Sequence, residues 1–138
     1  MTSLAALVMV VRDLDHALVV YEQGLGFVRT STVDDVPGLG ARRVLLRGAN
    51  CELELIEPYE ETKPPGLFLR ERGEGVFALT VGVDDPGRAR ERLVRAGVAV
   101  LEPTGEGAPP RSSGFVRPRD GHGVLIEVAP APVPEQSA

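Results

Sequence analysis

The run from Val76 to Leu93, "VFALTVGVDDPGRARERL", holds the key to the fold. Its first eight residues are apolar and rich in β-branched side chains, as a strand requires. Asp85 then caps a helix, Pro86 takes the first helical position, and Ala89, Leu93 and Ala96 mark one helical face before Gly97 ends it. The start of the chain, "LAALVMVVRDLDHALVVY" over Leu4 to Tyr21, has the same plan. Shifted by 72 residues, Ala6-Leu7 falls on Ala78-Leu79, Val11 on Val83, Asp13 on Asp85 and Ala17 on Ala89. Leu14, Ala17, Leu18 and Tyr21 recur at helical spacing, with Gly24 and Gly26 as stops.

Working outward, the spacing predicts strands near 26–33, at 41–47 and at 51–57, with a Pro-Gly loop at 37–40 and a turn at "RGAN". Pro64-Pro65 opens a short segment, "GLFLRERGEG", with room for a single helical turn. After the second helix come strands at 98–102, 114–117 and 123–129, a Gly/Pro loop at 105–114, and the turn "RPRDGHG". With a shift of 73, Gly48 falls on Gly121, Leu53 on Ile126 and Glu54 on Glu127. The expectation is an α+β fold of two β-α-β-β-β modules, about 1–58 and 75–130, joined by a linker 59–74 into a single domain 1–130. From Pro130 onward "PAPVPEQSA" neither pairs nor packs, so 131–138 is expected to be a flexible tail.

The totals bound the function. In 138 residues, 43% hydrophobic and 25% charged residues fit one globular core. The net charge of −5, with fourteen Arg and one Lys scattered among acids, disfavours nucleic acid as a partner. Cys51 is alone, so no intramolecular disulfide forms, and it reads as a small buried apolar residue. The apolar opening has no preceding basic residue and no small-residue cleavage site. It reads as a first strand of a cytoplasmic protein with no membrane association.

Two acids stand out. Glu127 lies in "GHGVLIEVAP" and Glu54 in "CELELIE", each on the opposite strand face from its apolar neighbours. If the modules pair about a pseudo-twofold axis, both line one half-barrel cleft. For Glu54 a solvent-facing charge is the competing reading, because Glu52 shares its face. Carboxylates in an apolar cleft have raised pKa values and can serve as general acid and general base.

The stretches "VVRDLDHALVVYEQGLGF", "ELELIEP", "FLRERGEGV", "VDD" and "RPRDGHGVLIEV" resemble the vicinal oxygen chelate superfamily, the glyoxalase, bleomycin-resistance and dioxygenase group, and within it the methylmalonyl-CoA epimerases. The resemblance implies a metal held by one residue from the first strand and one from the last strand of each module, commonly His, Glu or Gln, His and Glu. Here those positions fall at Ala6, Glu54, Ala78 and Glu127. Where some epimerases supply a further carboxylate, this chain has Arg43 or its neighbours.

A methyl group cannot ligate, so the expectation is a metal-independent acid–base enzyme with no cofactor. It would isomerise, epimerise or cyclise a small carbonyl-containing metabolite, an acyl thioester or polyketide-like intermediate. Glu127 and Glu54 are the expected catalytic pair, with Ala6, Val8, Ala78, Thr80, Leu125 and Arg43 lining the substrate pocket. Arg43, Arg111 and Arg117 are candidate oxyanion partners, whereas His16 and His122 are expected on the surface. Two alternatives stay open: a non-catalytic binding protein of the bleomycin-resistance kind, and a divalent-metal epimerase with substituted ligands. The resemblance also implies a homodimer.

Overall fold

The computed structural model describes residues 1–103 and 113–131. The elements are β1 (Ser3–Val10), α1 (Leu14–Leu18), a π-helical continuation (Val19–Gly24), β2 (Val28–Arg29), β3 (Asp34–Val36), β4 (Ala41–Arg47), β5 (Glu52–Pro58), α2 (Pro64–Arg72), β6 (Gly75–Val83), α3 (Pro86–Arg95), β7 (Gly114–Val116) and β8 (Leu125–Pro130). One sheet runs in the order β2-β4-β5-β1-β6-β8-β7, with β3 pairing β4 off this path. β1 is parallel to β5 and β6 is parallel to β8, while β1 and β6 meet antiparallel at the centre. Each side of that central pair thus repeats the other.

Asp13 accepts from His16 N at 3.1 Å and Asp85 accepts from Arg88 N at 3.1 Å, so equivalent aspartates cap α1 and α3. α1 has a second anchor. Glu57 on β5 accepts from Leu14 N at 2.7 Å and is itself held by Arg42 Nη2 at 2.8 Å. Leu14, Ala17 and Leu18 are buried against Val44, Leu46, Leu53 and Leu55 on one face of the sheet. The register puts α3 over the same face, yet no residue of α3 is buried. A cavity of about 430 Å³ lies there, lined by Leu93, Val81, Val83, Val116, Ile126 and Val128 among others.

The other face carries a smaller cluster, Val8, Ala41, Ile56 and Ala78, with Leu39, Phe77 and Leu125 packed against it. α2 approaches this cluster by setting Phe68 edge-on to Phe77, with ring centroids 5.4 Å apart. Gly66 lets the helix approach closely, since a Cβ there would sit 1.9 Å from the Glu60 carbonyl oxygen.

Several expected boundaries are corrected. The strand expected at 26–33 pairs only over Val28–Arg29, because the Ser31 hydroxyl takes the Leu45 N–H at 2.9 Å and the chain turns away to form β3. The strand expected at 98–102 is a single bridge, Leu101 to Phe115. Val98 N instead closes the helix end on Leu93 O, and Pro103 has no N–H to extend the ladder. The first helix widens to π-helical bonding, with Leu25 N reaching Val20 O at 2.9 Å, so Tyr21 is only half-buried. Pro130 ends β8, and Ala131, the first residue of the expected tail, donates its N–H to Val83 O at 2.8 Å. Cys51 is half-buried, at the turn before β5. Arg111, the 105–112 part of the expected loop and residues 132–138 of the expected tail lie outside the described residues.

Candidate active site

Strand alternation does the placing. On β5, Leu53 and Leu55 enter the core beneath α1, which turns Glu52, Glu54 and Ile56 to the opposite face. On β8, Ile126 and Val128 face the cavity beneath α3, which turns Leu125 and Glu127 the other way. Pairing then aligns two rows across the central strands. One row is Glu54, Val8, Ala78 and Leu125; the next is Glu52, Ala6, Thr80 and Glu127. Sheet register therefore brings all eight of the residues singled out for the site, save Arg43, into adjacent rows on one face, with Glu52 added.

Arg43 joins them from β4. It lies opposite Ile56, one pleat along from the Leu45 that faces Glu54, and its Nη1 is 3.3 Å from Glu54 Oε1. Phe115, opposite Glu127 on β7, and the Phe68-Phe77 pair supply an aromatic lining that sequence reading did not single out. Phe115 was within reach of an alternation argument. Phe68 was not, since its approach depends on how α2 docks.

The two acids differ in environment. Burial is the largest influence on Glu54 and raises its pKa, opposed by the Arg43 cation and hydrogen bond and reinforced by Glu52. Glu127 is only 8% exposed, and among the described residues no Lys or Arg pairs with it. Burial first, then the charge of Glu54, pushes its pKa up to about 7, with Thr80 pulling the other way. Near neutrality Glu127 therefore exchanges a proton freely, as a general acid or base must.

The donor set lacks the imidazole and thiolate that Zn²⁺, Co²⁺ and Ni²⁺ favour. Ala6 and Ala78 contribute methyls at the first-strand positions, and among the described residues no group of three or more His, Cys, Asp or Glu could hold an ion. His16 is exposed on α1, which packs on the far face. His122 is exposed in the β7–β8 turn, at a positive φ of 58°. Arg117 sits at that same turn and reaches Asp120 at 3.9 Å. A second cavity of about 360 Å³, lined by Arg12, Tyr59, Glu60 and Arg70 among others, contains neither Glu54 nor Glu127. No described helix is long and apolar enough to cross a membrane.

Residues 3–128 match the family described as the glyoxalase/bleomycin resistance protein/dioxygenase superfamily. The chain is 32% identical over 122 residues to the ethylmalonyl-CoA/methylmalonyl-CoA epimerase of Cereibacter sphaeroides, covering 86% of this chain and 90% of that relative. A crystal structure of methylmalonyl-CoA epimerase from Mycobacterium tuberculosis matches with a TM-score of 0.76 at 32% identity, over 94% of this chain and 88% of that one. A methylmalonyl-CoA epimerase in complex with methylmalonyl-CoA and NH4+ matches with a TM-score of 0.77 at 28% identity, over 99% of both chains.

Proposed function

Because this chain belongs to the glyoxalase/bleomycin resistance protein/dioxygenase superfamily, we propose that it is an acid–base isomerase of acyl-CoA-type thioesters, using Glu127 and Glu54 without a metal. The observation that carries this reading is two carboxylates from opposite halves of the sheet on one face, one paired with a cation and the other not. The epimerase relatives support the thioester class. The mismatch between Ala6, Ala78 and any imidazole-rich site supports a metal-free route.

The chemistry is a proton transfer next to a carbonyl. Glu127, as carboxylate, takes the proton from the carbon beside the thioester. The C–H electron pair becomes the enolate double bond and the carbonyl electrons move to oxygen. On the opposite face of that carbon Glu54, a carboxylate at rest beside Arg43, takes up a solvent proton and passes it to the enolate carbon, inverting it, while Glu127 gives its own proton to solvent. The apolar floor of Val8, Ala78 and Leu125 holds the acyl group and keeps water from competing.

The test is α-proton exchange in D2O with methylmalonyl-CoA and ethylmalonyl-CoA, followed by NMR. Wild type is expected to exchange the proton, unaffected by chelator. Glu127→Gln is expected to lose about 10²- to 10⁴-fold in rate while thioester affinity stays within a few fold. Undiminished exchange by the variant overturns the role of Glu127. Loss of wild-type activity on chelation returns the chain to the metal-dependent reading, and tight binding without exchange makes it a binding protein. The proposed protein is a homodimer, with exposed Val28 and Leu101 near the outer strands as candidate contacts; a monomer by light scattering at micromolar concentration overturns that part.

A further inference from the structure

We infer that Arg43 is the resident cation of this site, stationed on the carboxylate face where the resemblance implies a divalent ion, and that its guanidinium receives the negative charge developing on the thioester oxygen. The inference rests on the proposed thioester chemistry for its second half only. Three observations carry it.

The first is how loosely Arg43 is held. Arg29 spends Nε and Nη2 on Glu22 at 2.9 and 2.8 Å, and Arg42 spends the same pair of donors on Glu57 at 3.2 and 2.8 Å. Both are two-donor clamps that fix local structure. Arg43 makes one side-chain hydrogen bond among the described residues, Nη1 to Glu54 at 3.3 Å. A guanidinium carries five N–H donors, so most of this one remains open to a ligand.

The second is location. Arg43 is a third exposed and Glu54 less so, which puts the pair at the border between the apolar floor and solvent. A charge-assisted hydrogen bond gains strength there relative to water. The third is vacancy of chemistry at the neighbouring strands. Ala6 and Ala78 offer no donor or acceptor in their side chains, so Arg43 is the one basic side chain that reaches either carboxylate among the described residues.

The experiment compares wild type, Arg43→Ala and Arg43→Lys. In D2O exchange of methylmalonyl-CoA, Arg43→Ala is expected to lose about 10²- to 10³-fold in kcat with KM within a few fold, the size of a lost oxyanion donor. Millimolar guanidinium, below denaturing concentrations, is expected to restore part of that loss, and Arg43→Lys is expected to fall between. A wild-type kcat in Arg43→Ala, or a loss that neither guanidinium nor lysine lessens, overturns the oxyanion role. A second readout needs no turnover. In calorimetry with Mn²⁺, the free Arg43→Ala protein is expected to bind at least about tenfold tighter than wild type, because Glu54 loses its internal counter-charge. Equal Mn²⁺ affinity in the two proteins overturns the resident-cation role. If wild type exchanges no α-proton, the proposed function fails by itself, and the Mn²⁺ comparison alone still decides whether Arg43 holds the cation position.

Discussion

At the scale of single residues, the role proposed for Glu127 links activity to stability. In the folded chain it keeps its proton up to about pH 7, whereas the ordinary value is 4.5. The folded state therefore binds more protons between those values, and stability falls as pH rises through that window. Glu127→Gln removes this dependence. Urea denaturation is expected to find the variant equal to wild type near pH 4 and more stable at pH 8, by about 1–3 kcal/mol once solvent screening is allowed for. The proposed exchange activity has the opposite slope, because Glu127 as base must be ionised: kcat/KM is expected to rise between pH 6 and 8 with a midpoint near 7. Glu54→Gln removes a repelling charge and is expected to move that midpoint to lower pH in the same assay. Much of this was legible in the sequence, since a lone acid in "VLIEV" and an alternating "ELELIE" declare their faces. Which of the adjacent Arg42 and Arg43 reaches the site was not. Alternation separates them, but only the β4–β5 register says that Arg43 goes with Glu54 and Arg42 with Glu57.

At the scale of elements, local signals were the readable ones. Asp13 and Asp85 announce helix starts because a cap depends on neighbours three residues away. The short strands were misjudged because pairing is decided by distant partners. Ser31 replaces a ladder bond with its hydroxyl, and Leu101 finds one bridge rather than a strand. Glu57 was missed for the same reason: its partner, Leu14 N, is 43 residues away. Glu57→Ala leaves a buried helix start and Arg42 short of an acceptor, and is expected to cost about 1–3 kcal/mol in thermal or urea unfolding. Asp85→Ala, at a helix with no buried residue, is expected to cost less than Asp13→Ala in the same measurement.

Across the whole molecule, the repeat is clear in topology and unequal in packing. β1 with β5 and β6 with β8 make matching parallel pairs, but α1 seals a core while α3 roofs a cavity of about 430 Å³. Amide hydrogen exchange is expected to be faster in α3 than in α1, by tenfold or more at matched solvent conditions. The repeat was visible in sequence from Ala6-Leu7 over Ala78-Leu79 and Glu54 over Glu127, whereas the packing difference depends on volumes that no residue pattern encodes. A further asymmetry lies at the site. Arg43 stands two residues before Leu45, the partner of Glu54, and the matching place before Phe115, the partner of Glu127, is Ser113. Two identical copies would give two interchangeable acids, each titrating like its twin. Joining the copies in one chain lets each diverge alone, so that one substitution leaves one acid beside a cation and its twin without one: a difference between duplicates that a symmetric assembly of the same parts could never inherit.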